Sequence, residues 1–219
     1  MSERAVIFDV DGVLVDSYTP HYQSWRDALK PYGVELTEPE FRRTFGRTSR
    51  DILAMLYDGE VTEEELQRLD DEKEALYREI VADAFPAVDG ATELIDALEA
   101  AAFKLAVGSS GPPENVNLCL RELGRADKFG AAITGKDVTR GKPDPQVFLM
   151  GAERLGVPPA RCAVVEDAAA GVEAANRAEM VSIGLTGTAT REQLAHADLV
   201  VNSLRELSPE KIDELIAGR

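Results

Sequence analysis

Short apolar runs punctuate the chain, and polar turn signals close them. The first, AVIFDV, is rich in apolar and β-branched residues and leads into an Asp-Gly turn, the pattern of a strand buried on both faces. Comparable runs recur as FKLAVG at 103–108, AAIT at 131–134, CAVV at 162–165, VSIGL at 181–185 and DLVV at 198–201. Between them lie segments with apolar residues at helical spacing. Ala91, Leu94, Ile95 and Leu98 form one stripe, and Val147, Phe148, Met150 and Leu155 belong to another. Strands alternating with helices from residue 86 onward predict βαβ units and a parallel sheet, that is, an α/β fold.

Residues 17–85 break this alternation, because only helical patterns occur there. They comprise the Tyr22–Trp25–Leu29 face, the stretches Phe41–Phe45 and Ile52–Leu56, and a long acidic segment from Thr62 to Ala84. Glu65 stands three residues after Thr62, which predicts a capping box at the start of that segment. The charge run from Glu63 to Glu79 reads as a solvated helix face. Pro86 and Gly90 mark the return to the sheet. The expected organisation is an α/β core over 1–16 and 86–219, with an all-helical unit inserted over 17–85.

Composition narrows the partners. Forty acidic and 24 basic residues among 219 leave a net charge of −16, so nucleic acid and anionic membrane surfaces are not expected to bind. No apolar run approaches the roughly 18 residues of a membrane span. The opening MSERAVIFDVDG lacks the pattern of a signal peptide, so the expected location is the cytoplasm and the expected state a monomer. Cys119 and Cys162 stand outside any CxxC or Cys/His cluster, which argues against a disulfide or a zinc site.

The chemistry concentrates where the predicted strands end. Asp9 and Asp11 flank Val10 directly after AVIF, and residues at i and i+2 project to one side of an extended chain. Ligand sites of open parallel sheets lie at those carboxyl ends. Neighbouring carboxylates raise one another's pKa unless a cation neutralises them, and hard oxygen ligands at this spacing suit Mg²⁺. Taken alone, the pair also reads as a strand-ending turn. Glu166 and Asp167 follow CAVV, however, and Ser109 and Ser110 follow FKLAVG. Lys142 sits in Gly141-Lys142-Pro143-Asp144-Pro145, where Asp144 is the expected N-cap of the next helix. Four polar groups at the matching ends of separate elements point to one site.

Together, DVDGVLVDS, VGSS, GKPDP and VVEDAAAGVEAA resemble the four successive signature motifs of the haloacid dehalogenase superfamily. The branch most resembled contains β-phosphoglucomutase, phosphoglycolate phosphatase and small sugar phosphatases. The resemblance implies a Rossmann-like parallel-sheet core with an inserted α-helical cap, and phosphoryl transfer on a small phosphorylated metabolite. It assigns Asp9 as the nucleophile and Asp11 as the general acid/base that also lends its backbone carbonyl to Mg²⁺. Ser109 and Lys142 would hold the phosphoryl oxygens, while Asp167 with Glu166 completes the metal site. Gly12 permits the turn that holds Asp11 above Asp9. An acidic residue at Asp11 sets the chain apart from the metal-free dehalogenases, and DVDG from the DKTG of transport ATPases.

The insertion resembles the cap that closes over substrate in this family, with His21, Arg47, Thr48 and Arg50 as its candidate contacts. Two departures from the mutase pattern stand out: Phe45 replaces a lysine expected before Gly46, and Gly111-Pro112-Pro113 replaces polar residues after the motif serine. Both remove contacts for a second phosphate and favour a phosphatase over a mutase. A phosphoacceptor receiver module also places acidic, hydroxyl and lysine groups at strand ends, but it lacks the inserted helices and the second Asp. A catalytically dead binding protein is disfavoured because every catalytic position is filled.

Overall fold

The computed structural model describes residues 3–44, 49–56, 59 and 61–219. The first strand, β1 (Ala5–Phe8), is apolar throughout and has no exposed residue. Among the described residues, the helices that follow are α1 (Tyr18–Leu29), α2 (Glu38–Thr44), α3 (Ser49–Leu56) and α4 (Glu63–Asp83). The rest alternates: α5 (Ala91–Ala100), β2 (Lys104–Gly108), α6 (Pro113–Glu122), β3 (Phe129–Ile133), α7 (Gln146–Leu155), β4 (Cys162–Glu166), α8 (Ala169–Arg177), β5 (Val181–Leu185), β6 (Leu199–Val201) and α9 (Pro209–Ala217). The chain divides into two compact units, Met1–Asp16 with Pro86–Arg219, and Ser17–Phe85.

In the first unit the six strands run parallel in the order β3-β2-β1-β4-β5-β6, so the predicted α/β fold is observed. The order reverses at β1, whose neighbours are β2 on one side and β4 on the other. Phe8 pairs with Val107 and with Val165, so the residues just beyond these positions emerge side by side from the same edge. One face of the sheet presents Ile7, Ala106, Ile133 and Val164 to Phe148 and Ala152 of α7 and to Ala174 and Ala175 of α8. Each large apolar side chain buried this way contributes about 1.5–3 kcal/mol.

The second unit has its own core. Trp25, Ala28 and Leu29 of α1 meet Phe41 of α2, Ile52 and Leu53 of α3 and Leu69 of α4. The capping box forms: Thr62 Oγ1 accepts from the Glu65 amide at 3.2 Å, and the Thr62 amide donates to Glu65 Oε2 at 2.9 Å. Among the described residues, no helix is long and apolar enough to cross a membrane.

Candidate active site

The site begins at the end of β1. The Asp9 amide continues the sheet by donating to the Val165 carbonyl at 2.9 Å, which leaves its side chain at the carboxyl edge, only 6% exposed. The chain then turns tightly, with the Gly12 amide donating to the Val15 carbonyl at 2.8 Å. Gly12 adopts φ +75°, and a Cβ on it would stand 2.0 Å from Asp167 Oδ2. Both the left-handed backbone and the close approach of Asp167 therefore require glycine. Asp11 is half-buried, and its Oδ2 lies beside Gly111, where a Cβ would stand 3.7 Å from it.

Lys142 reaches in from the loop before α7. Its Nζ donates to Asp9 Oδ1 at 2.5 Å and to Glu166 Oε1 at 2.6 Å, and it lies 4.9 Å from the Phe148 ring centroid. Glu166 is 2% exposed, and its second oxygen accepts from the Ala168 amide at 2.8 Å. Gly171 leaves room for this carboxylate. Asp144, expected as the N-cap of α7, does not hold that place: Pro145 is the capping residue. The Asp144 carboxylate instead accepts from the Gln146 amide at 3.0 Å, bracing the turn that leads into the helix.

Ser109, at the end of β2, is buried, and its Oγ accepts from the Gly111 amide at 2.9 Å. Its own amide donates to the Ile133 carbonyl at 3.0 Å, which joins this loop to β3. Ser110 is exposed. Both cysteines are free and buried. Burial first, and then the charges of Asp11 and Asp9, push the Cys119 thiol up.

The electrostatics follow from burying several carboxylates with one ammonium. Burial pushes Asp9 from 3.8 up to about 7, against the pull of Lys142, and the charges of Glu166 and Asp11 add to the rise. Burial likewise holds Asp167 well above the usual carboxylate range, reinforced by Glu166 and Asp9 and opposed by a hydrogen bond with Thr188. Burial alone would lower the Lys142 pKa, but Asp9 and Glu166 outweigh it and raise it, so the ammonium stays charged. Oxygen atoms of Asp9, Glu166 and Asp167 all lie within 4.8 Å of one another. A dense, oxygen-only, electron-rich donor set of this kind fits a hard divalent cation.

The candidates in the helical unit have separate surroundings. His21 stacks on Tyr77, with centroids 4.1 Å apart, and its Nδ1 lies 3.0 Å from Lys73 Nζ. Lys73 is only 5% exposed and donates to Glu74 Oε1 at 2.6 Å. Sequence reasoning passed over this lysine inside the acidic run. Its signal was periodic: Leu69, Lys73, Tyr77 and Val81 recur every fourth residue and form the buried stripe of α4. Arg50 is exposed and pairs with both oxygens of Glu63 at 2.5 Å. Arg47 and Thr48, with Phe45 and Gly46, lie outside the described residues.

Asp9, Asp11, Gly12, Ser109, Lys142, Glu166 and Asp167 thus gather at one edge of the sheet, and comparison with known proteins places that edge in context. Residues 3–179 match the haloacid dehalogenase-like hydrolase family. The chain is 33% identical over 214 residues to the validoxylamine A 7'-phosphate phosphatase of Streptomyces hygroscopicus subsp. limoneus, covering 93% of this chain and 95% of that one. It is 30% identical over 218 residues to the β-phosphoglucomutase of Bacillus subtilis (strain 168), covering 96% and 94%. The crystal structure of a β-phosphoglucomutase from Clostridium difficile matches with a TM-score of 0.85 at 30% identity, over 99% of this chain and 98% of that one. These matches run through the strand-end residues and the inserted helices alike, and the chain belongs to the haloacid dehalogenase-like hydrolases.

Proposed function

We propose that this chain is a Mg²⁺-dependent phosphatase that hydrolyses small phosphorylated metabolites of the sugar phosphate or phosphoglycolate type through an aspartyl phosphate on Asp9. The observation that carries the reading is the buried Asp9 carboxylate held 2.5 Å from the Lys142 ammonium, beside the carboxylates of Glu166 and Asp167. Asp9, Asp167 and Glu166 are the side chains that would hold the metal. When bound, Mg²⁺ neutralises the carboxylates and the incoming phosphoryl charge.

The residues of the chain divide the work. Asp9, once ionised, attacks phosphorus through one Oδ as the ester P–O bond breaks, and Asp11 gives its proton to the departing alkoxide. Water then attacks the phosphorus of the acyl phosphate, Asp11 takes its proton, and Asp9 and inorganic phosphate are released. Lys142 fixes a positive charge next to the attacking oxygen, and the Ser109 hydroxyl is placed to donate to a phosphoryl oxygen. Selection of the leaving group falls to the helical unit, with His21, Lys73, Arg47, Thr48 and Arg50 as candidates.

A second reading, a β-phosphoglucomutase-type mutase, is favoured by the mutases among the similar proteins. Phe45 and Gly111-Pro112-Pro113 oppose it, because they offer no charge to grip the far end of a bisphosphate. Phosphate release from sugar phosphates and phosphoglycolate should require Mg²⁺ and fall by orders of magnitude in Asp9→Asn. A folded Asp9→Asn variant at near wild-type rate refutes the nucleophile. With β-glucose 1-phosphate and a trace of the 1,6-bisphosphate, glucose 6-phosphate forming much faster than free phosphate decides for the mutase.

A further inference from the structure

Lys142 does not sit on a regular element. It projects from the loop over 139–145, and any loosening of that loop moves the ammonium away from Asp9. The loop's attachments are therefore part of the site's construction. Gln146, the first residue of α7, supplies most of them. Its Oε1 accepts from the Thr139 amide at 3.0 Å, the Thr139 hydroxyl at 3.2 Å and the Arg140 amide at 3.0 Å. All three facing groups are donors in these bonds, which fixes the carboxamide with its oxygen toward the loop. On the other side of Lys142, the Gln146 amide donates to Asp144 Oδ1 at 3.0 Å. One residue thus clasps the loop both before and after the lysine.

The clasp is anchored by the helix behind it. Val147 and Phe148, the next two residues, are buried in the sheet core, and the Phe148 ring stands 4.9 Å from Lys142 Nζ. Within the loop the Asp144 amide donates to the Gly141 carbonyl at 3.0 Å, while the side-chain tethers other than those of Gln146 are weaker. The Arg140–Asp144 ion pair joins an exposed guanidinium to its partner at 3.0 Å, where water screens it. Arg177 reaches the Pro143 carbonyl at 3.4 Å, near the limit for a hydrogen bond.

We propose that Gln146 is a positioning residue for Lys142: its side-chain oxygen closes the 139–145 loop and so holds the ammonium against Asp9 and Glu166. The proposal rests on the reading of Lys142 as the cation beside the transferring phosphoryl group. Gln146→Leu removes the acceptor, and Gln146→Asn keeps the amide but is one methylene too short to reach. Gln146→Glu retains an acceptor oxygen at full length.

The test uses the full chain with Mg²⁺ and p-nitrophenyl phosphate, beside Lys142→Ala, and adds a readout that does not depend on turnover. That readout is the rate at which acetic anhydride acetylates Lys142, followed by peptide mapping. Gln146→Leu and Gln146→Asn should lower kcat roughly 10- to 100-fold with KM little changed, the range for losing support behind a reacting group. They should also acetylate faster at Lys142, and Gln146→Glu should restore both quantities. Wild-type kcat and wild-type acetylation in either folded Leu or Asn variant, with Lys142→Ala crippled, overturn the proposal alone. Lys142→Ala at wild-type kcat overturns the reading of Lys142, and the proposal with it.

Discussion

Replacing Gly171 with alanine sets two effects of opposite sign against each other. Gly171 is the third residue of α8, where alanine is favoured over glycine by up to about 1 kcal/mol of helix propensity. An added Cβ, however, would stand 1.7 Å from Glu166 Oε1, 1.9 Å from Cδ and 2.6 Å from Cγ. The whole Glu166 side chain from Cγ outward must then leave, and at 2% exposure it has nowhere to go. Its bonds to the Lys142 ammonium and the Ala168 amide are lost together. Hydrogen bonds to charged groups are worth about 1.5–3 kcal/mol each, and breaking a buried pair costs about 3–5 kcal/mol. Packing outweighs propensity, and the net loss is about 3 kcal/mol after the propensity gain is subtracted. At roughly 2–4 °C per kcal/mol the Tm should fall by about 6–12 °C. Phosphate release should fall as well, because Lys142 loses one of its two carboxylates. Thermal melts by circular dichroism and initial rates on the two proteins measure both effects. A Gly171→Ala protein as stable and as active as the wild type refutes the reasoning, for Glu166 would then have no fixed role.

In the metal-free protein Asp9 titrates at about 7 against 3.8, so between those values the native state binds a proton that the unfolded chain has released. Stability relative to Asp9→Asn should therefore fall as pH rises through this window and level off above it; urea titrations in EDTA showing no fall would contradict the burial argument. Because a ligating carboxylate must shed its proton, Mg²⁺ should raise the Tm more at pH 8 than at pH 5, which thermal melts with and without the metal will measure. In the helical unit, Thr62→Ala removes the capping box of α4 and should cost about 1 kcal/mol, read from urea unfolding; no measurable loss would mean that the box contributes nothing.

Much of this protein is local in origin. The run AVIF needs only its own composition to become a strand covered on both faces, and Thr62 with Glu65 needs only three residues' spacing to cap α4. A parallel sheet also fixes where ligands gather, so Asp9, Ser109 and Glu166-Asp167 could be placed at strand ends from the order of motifs along the chain. Lys73 left a signal, as the charged member of the stripe Leu69-Lys73-Tyr77-Val81, but the run around it reads as a solvated face and hid its burial beside His21.

Tertiary structure decided what depends on burial and on contacts between distant residues. Asp11 is the only contributor to the raised pKa of Asp9 that stands beside it in the sequence; the main cause is burial, to which Glu166, 157 positions away, adds and which Lys142, 133 positions away, opposes. Gly171 reads locally as a poor helix former in α8, and only packing shows that Glu166 occupies the space a methyl group would take. Gln146 reads as the first residue of a helix, and only the folded loop turns its oxygen back onto Thr139 and Arg140. Local propensities act over a few residues and leave a pattern in the chain. Desolvation and steric exclusion act through space, and their partners meet only after the sheet has assembled.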